Sequence, residues 1–207
     1  MDFNKNNFFG RSIFSGAMVG FGATACASVG GFWGAVVFST ALVVIALSES
    51  PLFTACVGRN ITKDHFEQTL LCLIGNVCGT FLAHGIVSLS CVDVSFILSM
   101  TAVEKLSTNM TPFFMQAVGC GFLIGAAMNC KNNANLYAPG IQTPIILAVV
   151  MCVTSFIVCG LEHCVADAFI LTFAPESIAT KKIVMYVMLA TAGNGIGGAI
   201  AYVLWKK

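Results

Sequence analysis

The run Gly160 to Phe169, GLEHCVADAF, places Glu162, His163 and Asp167 inside a stretch that is otherwise apolar. No charged residue occurs from Asn132 to Leu161, and downstream the chain stays apolar to Ala174. An ionisable side chain in hydrocarbon costs at least about 2.5 kcal/mol, so it must face a polar cavity, a partner or broken backbone. The imidazole has an ordinary pKa of about 6.5 and can exchange a proton near neutral pH. From this run alone two placements stay open: a functional site at an interrupted membrane span, or an extramembrane loop between two short helices.

The elements that must position these groups are apolar almost throughout. The chain has 207 residues, of which 57% are hydrophobic and 9% charged, with a mean hydropathy of +0.90. An ordinary soluble domain carries about 25% charged residues. This is the composition of an integral membrane protein, and a net charge of +1 gives no basic surface for nucleic acid. The cysteines lie mostly inside apolar runs and form no CxxC pair, so they read as small buried hydrophobes and not as a disulfide framework or zinc site. No cofactor is expected.

Lys5 and Arg11 followed by an apolar run resemble the start of a signal peptide, but the uncharged stretch continues from Ser12 to Ser48. That length accommodates two spans of roughly 18 residues joined at Gly30 and Gly31. The first runs from about Ser12 to Ser28. The second starts near Phe32, meets Ser48, Glu49, Ser50 and Pro51, and resumes through Val57, so a proline and an acid break it in mid-span. Arg59, Lys63, Asp64 and His65 form a polar loop before a third span, Gln68 to Val92. A polar loop carrying Asp93, Glu104 and Lys105 leads to a fourth, Leu106 to Cys130, with Pro112 suited to its first turn. After the Asn-rich turn Lys131 to Gly140, a fifth span runs from about Thr143 to Cys159, breaks at Gly160 to His163 and resumes to Phe173. A loop with Lys181 and Lys182 precedes the sixth, Ile183 to Trp205.

Six crossings put both termini on one side, together with Arg59, Lys63 and Lys131, against Lys105, Lys181 and Lys182 on the other. The positive-inside rule then makes the termini cytoplasmic in a cell inner membrane. The third span contains Gly75-Asn76-Val77-Cys78-Gly79 and the sixth Gly193-Asn194-Gly195-Ile196-Gly197, so each half ends in GNxxG, and the second span of each half is broken. Three spans per half invert one half relative to the other. Inverted repeats with two discontinuous helices are the pattern of proteins that hold a small solute near the midplane. The expected fold is one all-α membrane domain over residues 1 to 207, with repeats at about 12–92 and 106–205. A GNxxG alone is also satisfied by close helix packing.

These residues resemble the formate/nitrite transporters, a family of formate, nitrite and hydrosulfide channels. Gly160-Leu161-Glu162-His163-Cys164-Val165-Ala166-Asp167 is close to that family's G-F-E-H-S-[VI]-A-N, and Phe38 to Thr54 fits its second span ending in LFT. The resemblance covers about residues 12 to 205. It implies an aquaporin-like fold, homopentamers with one pore per subunit, and small monovalent anions and protons as the transported species. By motif, His163 matches the family's central pore histidine and Thr54 the threonine of the loop interrupting the second span. Leu42 and Phe156 match the two apolar constrictions. Lys105 falls at the lysine near the outer mouth when the fourth span is aligned by Cys120.

Glu162, Asp167, Asn76 and Asn194 are expected to support the broken helices. Departures are Gly121 where the family has Asn, Asp167 where it has Asn, and Pro51 where many members have an acid. The N-terminal amphipathic helix is at most a stub. The resemblance implies a channel and not an enzyme. Hydrosulfide in place of formate or nitrite is an alternative within the fold. A metalloenzyme subunit using His163, Glu162 and Asp167 is an alternative of another class, disfavoured because His65, His84 and His163 are far apart in sequence.

Overall fold

The computed structural model describes residues 7–57, 63–90, 92–132 and 142–205. Among them the chain is helical and contains no strand. Four helices are long and apolar enough to cross a membrane: α1 (Phe8–Val29), α4 (Lys63–Leu89), α6 (Met110–Asn132) and α9 (Thr180–Trp205). The second and fifth expected spans are each a shorter helix followed by a still shorter one. These are α2 (Gly31–Leu47) with α3 (Phe53–Cys56), and α7 (Gln142–Val158) with α8 (Cys164–Ile170), the latter continued by a 3-10 turn, Leu171–Phe173.

Where the sequence suggested a polar loop around Asp93, Glu104 and Lys105, the structure has a 13-residue helix, α5 (Ser95–Ser107). Its buried residues are Leu98, Ala102 and Leu106, four apart, so they form one stripe against the core. Charges at Glu104 and Lys105 masked that stripe. Similarly, Lys63, Asp64 and His65 belong to α4, and Lys181 and Lys182 open α9, so these stretches are helix ends and not loops. Lys5, Arg59, Lys206, Lys207 and residues 133–140 of the Asn-rich turn lie outside the described residues.

The most extensive packing is between α6 and α9 and between α1 and α4. Both pairs approach closely because glycines line them. A Cβ on Gly79 would stand 2.0 Å from the Ile13 carbonyl oxygen, and one on Gly197 would stand 2.0 Å from that of Val118. Small residues at such crossings are how helices associate where lipid removes the hydrophobic drive between them. The second helices, α2 and α7, pack against each other and bring Phe38, Leu42, Ile45, Val149, Val153 and Phe156 into one core. On the outside, Phe66, Phe81, Leu82, Met188 and Val203 are exposed. Apolar surface of that extent suits lipid or a neighbouring subunit.

Candidate functional site

Each interrupted helix restarts under an asparagine from a neighbouring long helix. At the first break, Asn76 Oδ1 accepts from the Phe53 amide at 2.8 Å, while its Nδ2 donates to the carbonyls of Ser12 at 2.8 Å and Pro51 at 3.2 Å. At the second, Asn194 Oδ1 accepts from the Cys164 amide at 2.8 Å, and its Nδ2 donates to Ala117 at 2.7 Å and Glu162 at 2.8 Å. Both side chains are fully buried. The amide that opens each short helix and the carbonyl just before it are thereby satisfied by a side chain.

The backbone reverses at matching points. Glu49 has φ 55° in the first break and Gly160 has φ 64° in the second. Glycine takes that left-handed conformation without a steric penalty, whereas a glutamate does not. Arg11 donates to the Ser48 carbonyl at the end of α2. That carbonyl is one of those a helix C-terminus leaves unsatisfied.

His163 is the residue just before α8. Its extended backbone (φ −109°, ψ 111°) lets the ring turn back, and the Ala166 amide donates to Nδ1 at 3.2 Å, so the imidazole caps the helix. Because an amide can only donate, Nδ1 is the acceptor, and the ring proton of the neutral imidazole sits on Nε2. Nε2 lies 3.2 Å from Thr54 Oγ1 of α3, joining the two breaks directly. Phe156 stacks on the same ring, centroids 5.7 Å apart and planes inclined by 18°, and Phe38 meets Phe156 edge-on.

A cavity of about 400 Å³ opens on one side of His163, lined also by Phe38, Phe156, Glu104, Lys105, Glu162 and Asp167. Lys105 reaches in from α5. Its ammonium contacts the Glu162 carboxylate and lies 2.9 Å from Asp167 Oδ1. Asp167 follows from α8 geometry, since it sits in the first turn, where a carboxylate meets the positive end of the helix.

The structure therefore brings His163, Thr54, Phe156, Lys105, Glu162 and Asp167 into one constellation, with Asn76 and Asn194 behind it. Leu42 is buried in α2 at 1% exposure but does not line this cavity. Gly121 faces α9: a Cβ there would stand 2.3 Å from the Asn194 carbonyl oxygen, so a side chain at this position has no room. The amides of Phe53, Cys164 and Ala166 are taken by Asn76, Asn194 and His163, and so are not free to bind a solute.

His84, away from this site, bonds Thr172 through Nδ1 at 2.8 Å and approaches Ser88 through Nε2 at 3.4 Å, tying α4 to the turn after α8. Two features were missed in the sequence, the Ala166 bond to the ring and the double hold on Lys105. A histidine three residues before an amide in a helix's first turn is the readable signal for the former. Among the described residues, no group of three or more His, Cys, Asp and Glu side chains is arranged to hold a metal ion.

A family model described as Formate/nitrite transporter matches residues 1–206. Among solved structures, an FNT family ion channel superposes with a TM-score of 0.84 at 21% identity, covering 97% of this chain and 89% of the other. A pentameric formate channel with formate bound superposes with a TM-score of 0.79 at 20% identity, covering 96% and 94%. No curated protein matches significantly.

Proposed function

The chain belongs to the formate/nitrite transporter family, and from that premise we propose that it is a channel or proton-coupled transporter for small monovalent anions, formate or nitrite, with His163 as proton relay. The observation that carries this reading is the placement of His163: capping α8 by accepting from the Ala166 amide, bonded to Thr54 and facing the cavity. An anion entering an apolar constriction loses its hydration and is left as an uncompensated charge in low dielectric. Transient protonation removes most of that cost.

In the bonded state the ring's one proton, on Nε2, faces Thr54 Oγ1, and a passing anion takes up that donor by displacing the hydroxyl. Delivery of a proton requires Nδ1 first to gain one, and the Ala166 amide to let go. Thr54 stands ready to hold the solute on the far side of the ring. Phe156 and Leu42 supply apolar faces that favour the neutral acid over its conjugate base. Lys105 draws the anion into the outer vestibule, and Glu162 anchors the break through its carbonyl bond to Asn194.

The layout that fits is six crossings in two inverted three-helix repeats, residues 12–92 and 106–205, with the second and fifth helices broken. The paired asparagine clasps support it. Like the pentameric relative, this chain is proposed to form a homopentamer, in a cell inner membrane with both termini cytoplasmic. Hydrosulfide is the second reading, favoured by the apolar wall of Phe156 and Phe38. A flux panel of formate, nitrite and hydrosulfide into proteoliposomes at two pH values tests both. Uptake of one or more of these, faster at acid pH, supports the reading, and impermeability to all three at both pH values overturns it.

A further inference from the structure

The vestibule holds more negative than positive charge, the reverse of what an anion path needs. Among the described residues Lys105 is the sole lysine or arginine lining it, and it faces two buried carboxylates, Glu162 at 4% exposure and Asp167 at 1%. Glu104 adds a third carboxylate at the cavity wall. Neither Asp167 oxygen has a hydrogen-bond partner among the described residues; Oδ1 is ion-paired with the ammonium at 2.9 Å, and Oδ2 lacks even that. A buried carboxylate oxygen left unpartnered is costly. It is also where a proton or a water would sit.

With both carboxylates ionised, the cluster around Lys105 carries a net negative charge beside the entry to His163. With one proton bound, Lys105, Glu162 and Asp167 sum to zero, and Glu104 is left as the one negative charge on the cavity wall. We propose that Asp167 sets the charge selectivity of this vestibule: the doubly ionised pair turns monovalent anions away, and one proton held at Asp167 and Glu162 admits them. The inference rests on the anion-channel reading above and makes proton uptake a condition of entry, ahead of any transfer at His163. One unit of charge within about 7 Å of an ion, at the effective dielectric of a partly buried site, changes its local population by more than about tenfold.

The other titratable groups facing the cluster are Cys26 from α1, Glu104 from α5, Cys120 from α6, His163 from the break and Cys164 from α8. The isosteric change Asp167→Asn leaves all of them in place and removes the extra charge. Formate uptake into proteoliposomes is therefore compared for the natural protein, Asp167→Asn and Asp167→Glu, at about pH 5.5 and about pH 8, either side of the ordinary histidine range. Expected is a steep loss of uptake at the higher pH in the natural protein and in Asp167→Glu. Asp167→Asn should be about tenfold faster than the natural protein at the higher pH, with the two nearly equal at the lower.

An Asp167→Asn profile that parallels the natural one overturns the inference and leaves the channel reading standing. No uptake of any of the three anions by the natural protein overturns both. Infrared difference spectra of the natural protein need no variant. A protonated-carboxyl stretch that disappears between the two pH values supports a shared proton, and its absence at both contradicts one.

Discussion

The two helix breaks share a scaffold and differ in chemistry. Residues 48–52 and 159–163 are each held by one buried asparagine with the same donor and acceptor pattern, and each reverses through a left-handed residue. At the position preceding the restart, however, the first break has Leu52 and the second has His163. The charged cluster of Lys105, Glu162 and Asp167 gathers only around the second. Satisfying a broken helix in a membrane is thus one task, solved twice in the same way. The chemistry of the proposed solute path is concentrated at one break, and Thr54 of the other reaches it through the His163 ring.

The largest expected effect exploits that difference. Lys105→Met leaves two buried carboxylates without their cation and should cost about 3–5 kcal/mol, read as early thermal unfolding in detergent. Adding Glu162→Gln and Asp167→Asn to it should restore most of the loss. A mild effect of the single change would mean that the cluster is solvated and the breaks are electrostatically alike. Next, Asn76→Ala and Asn194→Ala each strand a buried amide and two carbonyls, for roughly 3 kcal/mol apiece. Similar losses in the same melting assay support equivalent clasps, and a loss in only one separates them.

Thr54→Val removes the bond between the breaks and should cost about 1 kcal/mol, with a several-fold fall in anion flux and the oligomer unchanged by size-exclusion chromatography. Flux at the natural level would leave Thr54 a packing residue. The smallest effect is at the left-handed turn. Glu49→Gly relieves a strained backbone and should raise stability by less than about 1 kcal/mol, whereas Gly160→Ala should lower it by a similar or larger amount. Equal responses to the two would show that the turns are not equivalent.

Much of this was legible in the sequence for a physical reason. In an apolar chain an interruption of a helix shows as residues that break it, Pro51 and Gly160, and as residues that can satisfy the freed backbone, the asparagines at 76 and 194. The α5 helix was not legible, because Glu104 and Lys105 beside a short apolar stripe look like a loop until the stripe's spacing, Leu98, Ala102, Leu106, is counted. Contacts between distant segments were hidden too. Lys105 meets Glu162 57 residues away, and the ring of His163 meets Thr54 109 residues away. Neither separation leaves a local signature. The matching of Gly121 to a crowded crossing with Asn194 likewise required coordinates, since a glycine in an apolar run reads as generic close packing.

The most direct test is formate flux into proteoliposomes for His163→Phe beside the natural protein, with oligomer assembly verified for both. Phenylalanine keeps a flat ring against Phe156 but has no proton to offer and no nitrogen for Thr54. Removal of an acid–base group at a committed step predicts a fall of about 100-fold or more in flux. Flux and pH dependence equal to the natural protein's would contradict the assignment of proton transfer to this imidazole.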